Sequence, residues 1–424
     1  MILISDLRFS LMINRSKIYL CILLSGCVVF SSCSKKLPPE TLPSVTSVSA
    51  SETTLITETE PSETTEETAI QVGPLSESCG ATLPVEVYGE LNVYEKYLTD
   101  SEYKAITLNG VGINSINYAN GFVNNETVST LVNDWGCDVL RFSMNVEEEI
   151  GGYMSDPDAK FADACSVIDM CIANGCYVII DWNLVSGCNP ADYEEQATDF
   201  FSRLAAIYAG VPNVMYEISG QASFNSEGDD VWSDEIRPYA QSVIETIREY
   251  DQDNLIIVQT PNGDAGLESV LNDPLSYSDV IYAISVSGVY DEVKAQEIID
   301  VSDEGLPMIC TDFKSIGEDG SFMFDSFTSY DEVMEAEYIS WCAYYVGGDA
   351  VMGNLVNTDL MNDQAIAEAH WPDDYITEPG IFVRGELLDN AAEREEYYQE
   401  LLEEAEDEDE DEEDDSDSTE STQG

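Results

Sequence analysis

Eight short runs of apolar, largely β-branched residues recur through the middle of the chain, and stretches with helical spacing separate most of them. The runs span 106–113, 139–144, 177–182, 214–219, 255–260, 280–286, 308–313 and 341–346. Apolar residues return every three or four positions over 159–174, 192–208, 234–250 and 292–301, which predicts amphipathic helices, with 264–272 the weakest. Strands apolar on both faces and separated by helices predict a parallel sheet with helices outside it.

Two α/β architectures fit this alternation, a closed (β/α)8 TIM barrel and a doubly wound open sheet. Eight repeated units favour the barrel. The absence of a glycine-rich nucleotide fingerprint also weighs against the open sheet. The segment Val85–Tyr97, ahead of the first unit, is interpreted as a small hairpin that could close the bottom of the barrel.

The amino terminus has the layout of an export signal. Arg15 and Lys17 precede thirteen mostly apolar residues, 18–30, and small residues and a cysteine follow. This ending resembles a bacterial lipoprotein signal, in which a cysteine is lipidated. Cys33 is the preferred lipidation site and Cys27 the alternative, while a plain cleaved signal or an anchor helix is also open. The layout predicts an extracellular protein, lipid-anchored at the bacterial cell surface.

The composition of the two flanking segments predicts disorder. Residues 34–82 are rich in Ser, Thr, Glu and Pro and cannot bury enough apolar surface to fold, so we interpret them as a linker. At the other end, fourteen of the eighteen residues 403–420 are Asp or Glu. Such a block repels itself. The predicted organisation is a signal segment over 1–33, a linker over 34–82, a barrel over 83–385 and a disordered acidic tail over 386–424.

Charge and histidine content exclude several classes of function. Acidic side chains number 84 against 16 basic ones, for a net charge of −68, which argues against nucleic acid as a partner. Contact with a membrane is expected only through the lipid anchor. The single histidine, His370, excludes sites that need two imidazoles. No metal and no cofactor is therefore expected.

Functional side chains of a barrel lie at the carboxyl ends of its strands. The residues predicted there are Asn109, Asn114, Arg141, Asn145, Asp181, Trp182, Asn183, Glu217, Gly220, Gln221, Ser285, Ser287, Asp312, Phe313, Tyr344 and Tyr345. Glu217 precedes Gln221 by four residues on the same strand face, so we interpret it as a deeper, barrel-interior residue.

Several segments resemble glycoside hydrolase family 5, in its bacterial endoglucanase (cellulase) branch. They are Val85-Glu86-Val87-Tyr88-Gly89-Glu90-Leu91, Asn133-Asp134-Trp135-Gly136, Val139-Leu140-Arg141-Phe142, Tyr177–Trp182, Pro212–Ile218, Ile236–Ala240, Asp253–Val258 and Ile281-Tyr282-Ala283. The resemblance implies a TIM barrel that hydrolyses β-glycans with retention, by means of one glutamate on strand 4 and another on strand 7.

Neither glutamate is present at the positions that the resemblance implies. The acid/base position is Gln221, within Gly220-Gln221-Ala222, and an amide has no titratable proton. The nucleophile position is Asp312, whose side chain is one methylene shorter. Further family positions carry other residues, at Asn114, Asn183, Ser285, Ser287 and Tyr344, whereas Arg141 is kept.

These substitutions predict a catalytically inactive family member that binds a polysaccharide or a protein through its cleft. The alternative is an active glycoside hydrolase that acts on a β-glucan with another acid.

Asp312 is expected to form an ion pair with Arg141. Trp182 and Phe313 are interpreted either as sugar-stacking platforms or as core residues. Cys137 and Cys176 precede neighbouring strands, so a disulfide between them is geometrically possible.

Overall fold

A computed structural model describes residues 82–113, 116, 121–184, 189–220, 231–261, 266–317, 319–347, 354–369 and 371–420. Several positions singled out in the sequence lie outside these ranges. They are Cys27, Cys33, Asn114, Gln221 and His370.

A closed barrel of eight parallel strands forms the centre of the described structure, so the predicted fold is confirmed. The strands follow one another in chain order, and the last pairs with the first. They are β3 (Asn109–Ile113), β4 (Val139–Asn145), β5 (Tyr177–Asn183), β6 (Val214–Gly220), β7 (Ile256–Gln259), β8 (Val280–Ser287), β9 (Met308–Lys314) and β10 (Ser340–Val346).

Helices surround the barrel, and most of them bury apolar residues against the outward faces of the strands. They are α1 (Pro84–Tyr88), α2 (Asn125–Asn133), α3 (Pro157–Ala173), α4 (Glu194–Tyr208), α5 (Arg237–Arg248), α6 (Leu267–Asn272), α7 (Glu292–Asp303), α8 (Phe324–Glu337), α9 (Asp363–Glu368) and α10 (Glu378–Glu420). Side chains of Asn124 and Asp156 accept backbone N–H groups at the starts of α2 and α3, which fixes where these helices begin.

Alternation of side chains along each strand divides the barrel interior into layers. Near the amino ends of the strands the interior is apolar, with Val139, Ile179, Met215, Ile257 and Ile309 in one cluster. In the next layer towards the carboxyl ends, the inward-facing residues of the strands are polar or charged. The buried apolar layer closes the amino end of the interior, so we expect a ligand to enter at the carboxyl-end mouth.

The segment ahead of the barrel differs from its predicted form. A hairpin over Val85–Tyr97 is wrong for its first half, because Pro84 at the first turn begins the short helix α1. The hairpin itself consists of β1 (Asn92–Tyr94) and β2 (Tyr97–Thr99). The Tyr177 hydroxyl donates to the Gly89 carbonyl at 2.6 Å, which ties this segment to the amino end of β5.

The carboxyl-terminal helix α10 contradicts the predicted boundary at residue 385. Val383 and Leu387 on α10 are fully buried, and the Arg394 guanidinium donates to the buried Asp138 carboxylate. The Tyr397 hydroxyl donates to Asp100. The folded unit therefore includes part of the segment assigned to a tail. The described backbone is helical to Glu420, where the charge pattern predicts disorder. Apolar side chains at helical spacing beyond residue 385 account for the docking.

None of the helices in the described ranges is long and apolar enough to cross a membrane.

The described cysteines Cys137, Cys165, Cys171, Cys176, Cys310 and Cys342 are all thiols. The possible bridge between Cys137 and Cys176 is therefore not formed, and both side chains are buried.

The ion pair between Arg394 and Asp138 provides a test of whether α10 belongs to the domain. Burial raises the pKa of Asp138, and Arg394 opposes that effect. We expect Arg394→Ala to lower the free energy of unfolding by about 3–5 kcal/mol, because it leaves a buried carboxylate without its partner. Arg384→Ala on the same helix is the matched control. Its pair with Asp373 is solvent-exposed, so we expect a loss of about 0–1 kcal/mol.

Urea unfolding of both variants measures the two losses. Equal losses would mean that α10 is not part of the cooperative unit.

Candidate functional site

The strand register brings most of the predicted mouth residues together. Asn145, Asn183 and Gly220 lie side by side on β4, β5 and β6. On the other side of the barrel, the neighbouring strands β8 and β9 pair Ser285 with Asp312 and Ser287 with Lys314. Gln221 follows Gly220 directly and lies outside the described residues. Asn109 is an exception, because it begins β3 and so lies at the amino end of the barrel.

Arg141 forms the centre of a buried charge network below the mouth. Its Nε donates to Glu217 Oε2 at 2.5 Å, and its Nη2 donates to Glu217 Oε1 at 3.0 Å and to Asp181 Oδ2 at 2.8 Å. The Arg141 fork thus holds two carboxylates, from β5 and β6. The predicted ion pair with Asp312 is wrong, because Nε and Nη2 of Arg141 contact Asp181 and Glu217, and Nη1 donates to Ser143 Oγ at 3.2 Å.

Glu217 is a barrel-interior residue, in agreement with its predicted depth. Its side chain is fully buried, and it accepts from the Thr311 hydroxyl at 3.0 Å as well as from Arg141. Glu217 therefore carries structural hydrogen bonds on each side and does not reach the mouth.

Asp181 has the most strongly perturbed carboxyl group of this network. Burial raises the pKa of Asp181 to about 8, and the nearby Glu217 charge adds to the effect while Arg141 opposes it. Burial alone would lower the pKa of Arg141, but Asp181 and Glu217 hold it above its ordinary value. Burial therefore favours the protonated form of Asp181 within this network.

The carboxyl group of Asp181 lies directly against Gly220. A Cβ placed on Gly220 would be 1.9 Å from Asp181 Oδ1 and 2.5 Å from its carboxyl carbon. Gly220 is therefore required by the position that Arg141 gives to Asp181. The family position at Gly220 cannot regain a side chain unless the Asp181 carboxyl group moves.

Asp312 is paired with a residue that sequence reasoning missed. Its Oδ2 is 2.8 Å from Lys314 Nζ, and the Lys314 ammonium lies 4.3 Å from the ring centroid of Tyr344. A β-bulge in β9 near Thr311 places Ser285 opposite Asp312. The spacing of two residues between Asp312 and Lys314 was the available signal, because such residues share a strand face.

The two candidate stacking platforms lie in the core and not in the mouth. Trp182 is fully buried against Phe200 and Tyr153, with ring centroids 5.1 Å apart in each pair. Phe313 stacks on Phe327 at 3.9 Å. Both residues alternate with mouth residues along their strands, so their side chains point outward to the helices. The assignment of Trp182 to substrate binding is therefore wrong.

Neutral polar groups also line the described part of the mouth. The Asn183 amide donates to Asn145 Oδ1 at 2.7 Å, and Asn183 Oδ1 is buried without a donor among the described residues. Ser285 and Ser287 contribute hydroxyls on β8, and Tyr344 adds an aromatic ring. Amides, hydroxyls and an aromatic face are the groups that proteins use to bind the hydroxyls and apolar faces of sugars.

The barrel thus carries polar side chains at the carboxyl ends of β4, β5, β8 and β9, the end at which barrels of this kind bind their ligands. Residues 99–349 match the family model Cellulase (glycosyl hydrolase family 5), and the chain belongs to that family. The resemblance on which the sequence interpretation rested is thereby confirmed.

Similar curated proteins are bacterial endoglucanases. An endoglucanase of Clostridium saccharobutylicum is 29% identical over 300 residues, which cover 70% of this chain and 64% of that enzyme. Endoglucanase N of Pectobacterium atrosepticum is 28% identical over 319 residues, covering 74% of this chain and 68% of that enzyme. The chain thus spans about two thirds of the length of these relatives.

Among solved structures, the catalytic domain of the Thermobifida fusca endoglucanase Cel5A is similar, with a TM-score of 0.66 and 25% identity. The match covers 72% of this chain and 100% of that domain. A variant of the same domain, with glutamine in place of a glutamate, is described in complex with cellotetraose.

Gly220 provides a test of the packing between Asp181 and its neighbour strand. We expect Gly220→Ala to lower the free energy of unfolding by about 1–3 kcal/mol, because the new methyl group overlaps the Asp181 carboxyl group. Gly385→Ala is the control, because a Cβ at position 385 meets no atom within 4 Å. The substitution also replaces a glycine inside a helix by a better helix former. It should stabilise by about 0.5–1 kcal/mol. If Gly220→Ala proves neutral in urea unfolding, Asp181 is not held at this position.

The raised pKa of Asp181 predicts a pH dependence of stability. Between pH 3.8, the ordinary pKa of an aspartate, and about pH 8, the raised pKa of Asp181 means that the folded protein keeps a proton that the unfolded chain has released. This group therefore lowers the free energy of unfolding as pH rises through that interval. Asp181→Asn does not titrate, so its stability relative to wild type should increase from about pH 4 to about pH 8 and then level off.

Urea unfolding at a series of pH values measures this difference. Asp319→Asn is the control, since the pKa of the exposed Asp319 is lowered by bonds from Ser321. If the difference in free energy of unfolding between Asp181→Asn and wild type stays constant with pH, Asp181 is not buried as a protonated acid.

Proposed function

We propose that this domain binds a β-glucan or a related polysaccharide in its barrel mouth without hydrolysing it. The observation that carries the proposal is the placement of the carboxyl groups. Of the acids on the mouth strands, Asp181 and Glu217 are held below the mouth by Arg141, which leaves Asp312. Retaining hydrolysis needs two carboxyl groups about 5 Å apart, and Gln221 cannot supply the second.

Several features support binding of a polysaccharide. The mouth keeps amides, hydroxyls and Tyr344, which can contact a sugar without any proton transfer. The similar Thermobifida fusca domain is described in complex with cellotetraose, and the curated relatives are described as endoglucanases. A protein ligand is the other partner that the sequence leaves open.

One observation favours the second candidate, an active glycoside hydrolase acting on a β-glucan. Burial raises the pKa of Asp181, and its carboxyl group lies beside Gly220, one residue before the acid/base position. Its side chain is fully buried, however, so a glycosidic oxygen in the mouth cannot contact it. The geometry therefore supports binding better than catalysis.

We expect the wild-type protein to release no reducing ends from soluble β-glucan, and Gln221→Glu alone to release none. A general acid contributes about 10²–10⁴ in rate, so restoring it leaves the defect at Asp312 in place. Enzyme-like turnover by the wild type that is lost in Asp312→Ala would contradict the proposal. Turnover lost in Asp181→Asn would support the second candidate.

Binding is tested separately with cellotetraose, by nuclear magnetic resonance titration. We expect Tyr344→Ala to weaken binding about tenfold, which corresponds to about 1.4 kcal/mol. Tyr250→Ala is the control, because Tyr250 is an exposed tyrosine that follows α5 at the opposite end of the barrel. Equal affinity of both variants and wild type would place the binding surface elsewhere.

We further propose that the protein is exported and anchored at the bacterial cell surface by lipid on Cys33, with Cys27 as the alternative. The charged, apolar and small-residue order of 15–33 supports this, and the 34–82 segment would then tether the domain. Stable anchoring by acylation needs more than one chain. A Cys27→Ser, Cys33→Ser double variant should leave the detergent phase in partitioning experiments. Its persistence there would contradict lipidation at these cysteines.

A further inference from the structure

Both oxygens of the Asp312 carboxylate are already occupied or enclosed. Oδ1 is buried and has no hydrogen-bond donor among the described residues. Oδ2 is 2.8 Å from Lys314 Nζ. The Asp312 side chain is 6% exposed, whereas that of Lys314 is 29% exposed. Lys314 also lies two residues closer to the carboxyl end of β9 than Asp312, so it is on the mouth side of the carboxylate.

Lys314 is held in this position from two sides. Its ammonium lies over the Tyr344 ring, 4.3 Å from the centroid, which adds a cation–π contact to the ion pair. Its backbone is fixed because Lys314 pairs with Ser287 in the sheet and its carbonyl accepts from Gly288 N–H at 3.1 Å. The side chain thus connects β9 to β10 across the nucleophile position.

A carboxylate can attack an anomeric carbon only when an oxygen approaches it to about 3–3.5 Å with an open line of approach. At Asp312 the enclosed Oδ1 has no such line, and the Lys314 ammonium occupies the line to Oδ2. The short aspartate side chain alone therefore does not account for the loss of a nucleophile.

We propose that Lys314 masks the carboxylate at position 312 and is a specificity-determining residue of this cleft, because it prevents a sugar from contacting that carboxylate. This inference rests on the proposed glycan-binding function of the same mouth. It predicts that restoring glutamate at position 312 gives no nucleophile while Lys314 is present. The positions that the family resemblance singles out are then insufficient to explain inactivity.

The mask is tested first without any sugar, by carbodiimide-driven amidation of carboxylates and peptide mass spectrometry on the full protein. We expect Lys314→Ala to raise the rate of modification of Asp312 at least tenfold. Lys314→Arg should leave the rate near that of wild type, because it keeps both the charge and the long side chain. The exposed Asp319 reports equal reagent activity in all samples. An unchanged rate at Asp312 in Lys314→Ala overturns the inference.

The second test uses 2-deoxy-2-fluoro-β-cellobiosyl fluoride, which needs no general acid. A carboxylate oxygen forms a bond to the anomeric carbon, the carbon–fluorine bond breaks and fluoride leaves, so the adduct is seen by intact mass. We expect Asp312→Glu, Lys314→Ala to be labelled at least tenfold faster than Asp312→Glu alone. Asp312→Glu, Lys314→Arg should behave like Asp312→Glu.

Equal labelling of all three variants overturns the mask. No labelling of Asp312→Glu, Lys314→Ala also overturns it, provided that this variant binds cellotetraose. Failure of wild type and variants to bind cellotetraose overturns the proposed function instead, and the amidation result then decides on the mask alone.

Discussion

The organisation of the mouth depends on the contacts that Arg141 makes with two buried carboxyl groups. One guanidinium contacts carboxylates from β5 and β6 inside the barrel, and Glu217 is in turn bonded to Thr311 on β9. Two buried carboxylates around a single cation are costly, since burial penalises each unpaired charge. The cost is reduced when Asp181 keeps a proton, as its raised pKa indicates. The network therefore connects four strands, β4, β5, β6 and β9, and removes two acids from the mouth.

The properties of the mouth follow from this network. Because Arg141 holds Asp181 against Gly220, position 220 has no room for a side chain. Because Arg141 is fully engaged by Asp181 and Glu217, Asp312 finds its cation in Lys314. Neutral amides and hydroxyls lie beside these groups in the described part of the mouth. Such a surface suits the proposed binding of a sugar, and among the described strand residues Asp312 is the acid that lies at the mouth.

The sequence predicts the barrel well because its signals are local. Apolar runs and helical periodicity depend only on neighbouring residues, and all eight predicted strands occur in order. Alternation along β5 would also have placed Trp182 outside the mouth, since it lies between Asp181 and Asn183. The two-residue spacing of Asp312 and Lys314 was visible in the sequence. That Arg141 contacts Asp181 and Glu217 instead of Asp312 was not, because these contacts depend on distances across the barrel. Helix α10 was missed because the acidic composition concealed its short apolar stripe.

A crystal structure of the protein with cellotetraose bound tests the central claim most directly. The account predicts an intact tetrasaccharide lying across the mouth in contact with Tyr344, with Lys314 still on Asp312 and the Arg141 contacts unchanged. A glycosyl bond to Asp312, or cleaved fragments on either side of it, would contradict the account.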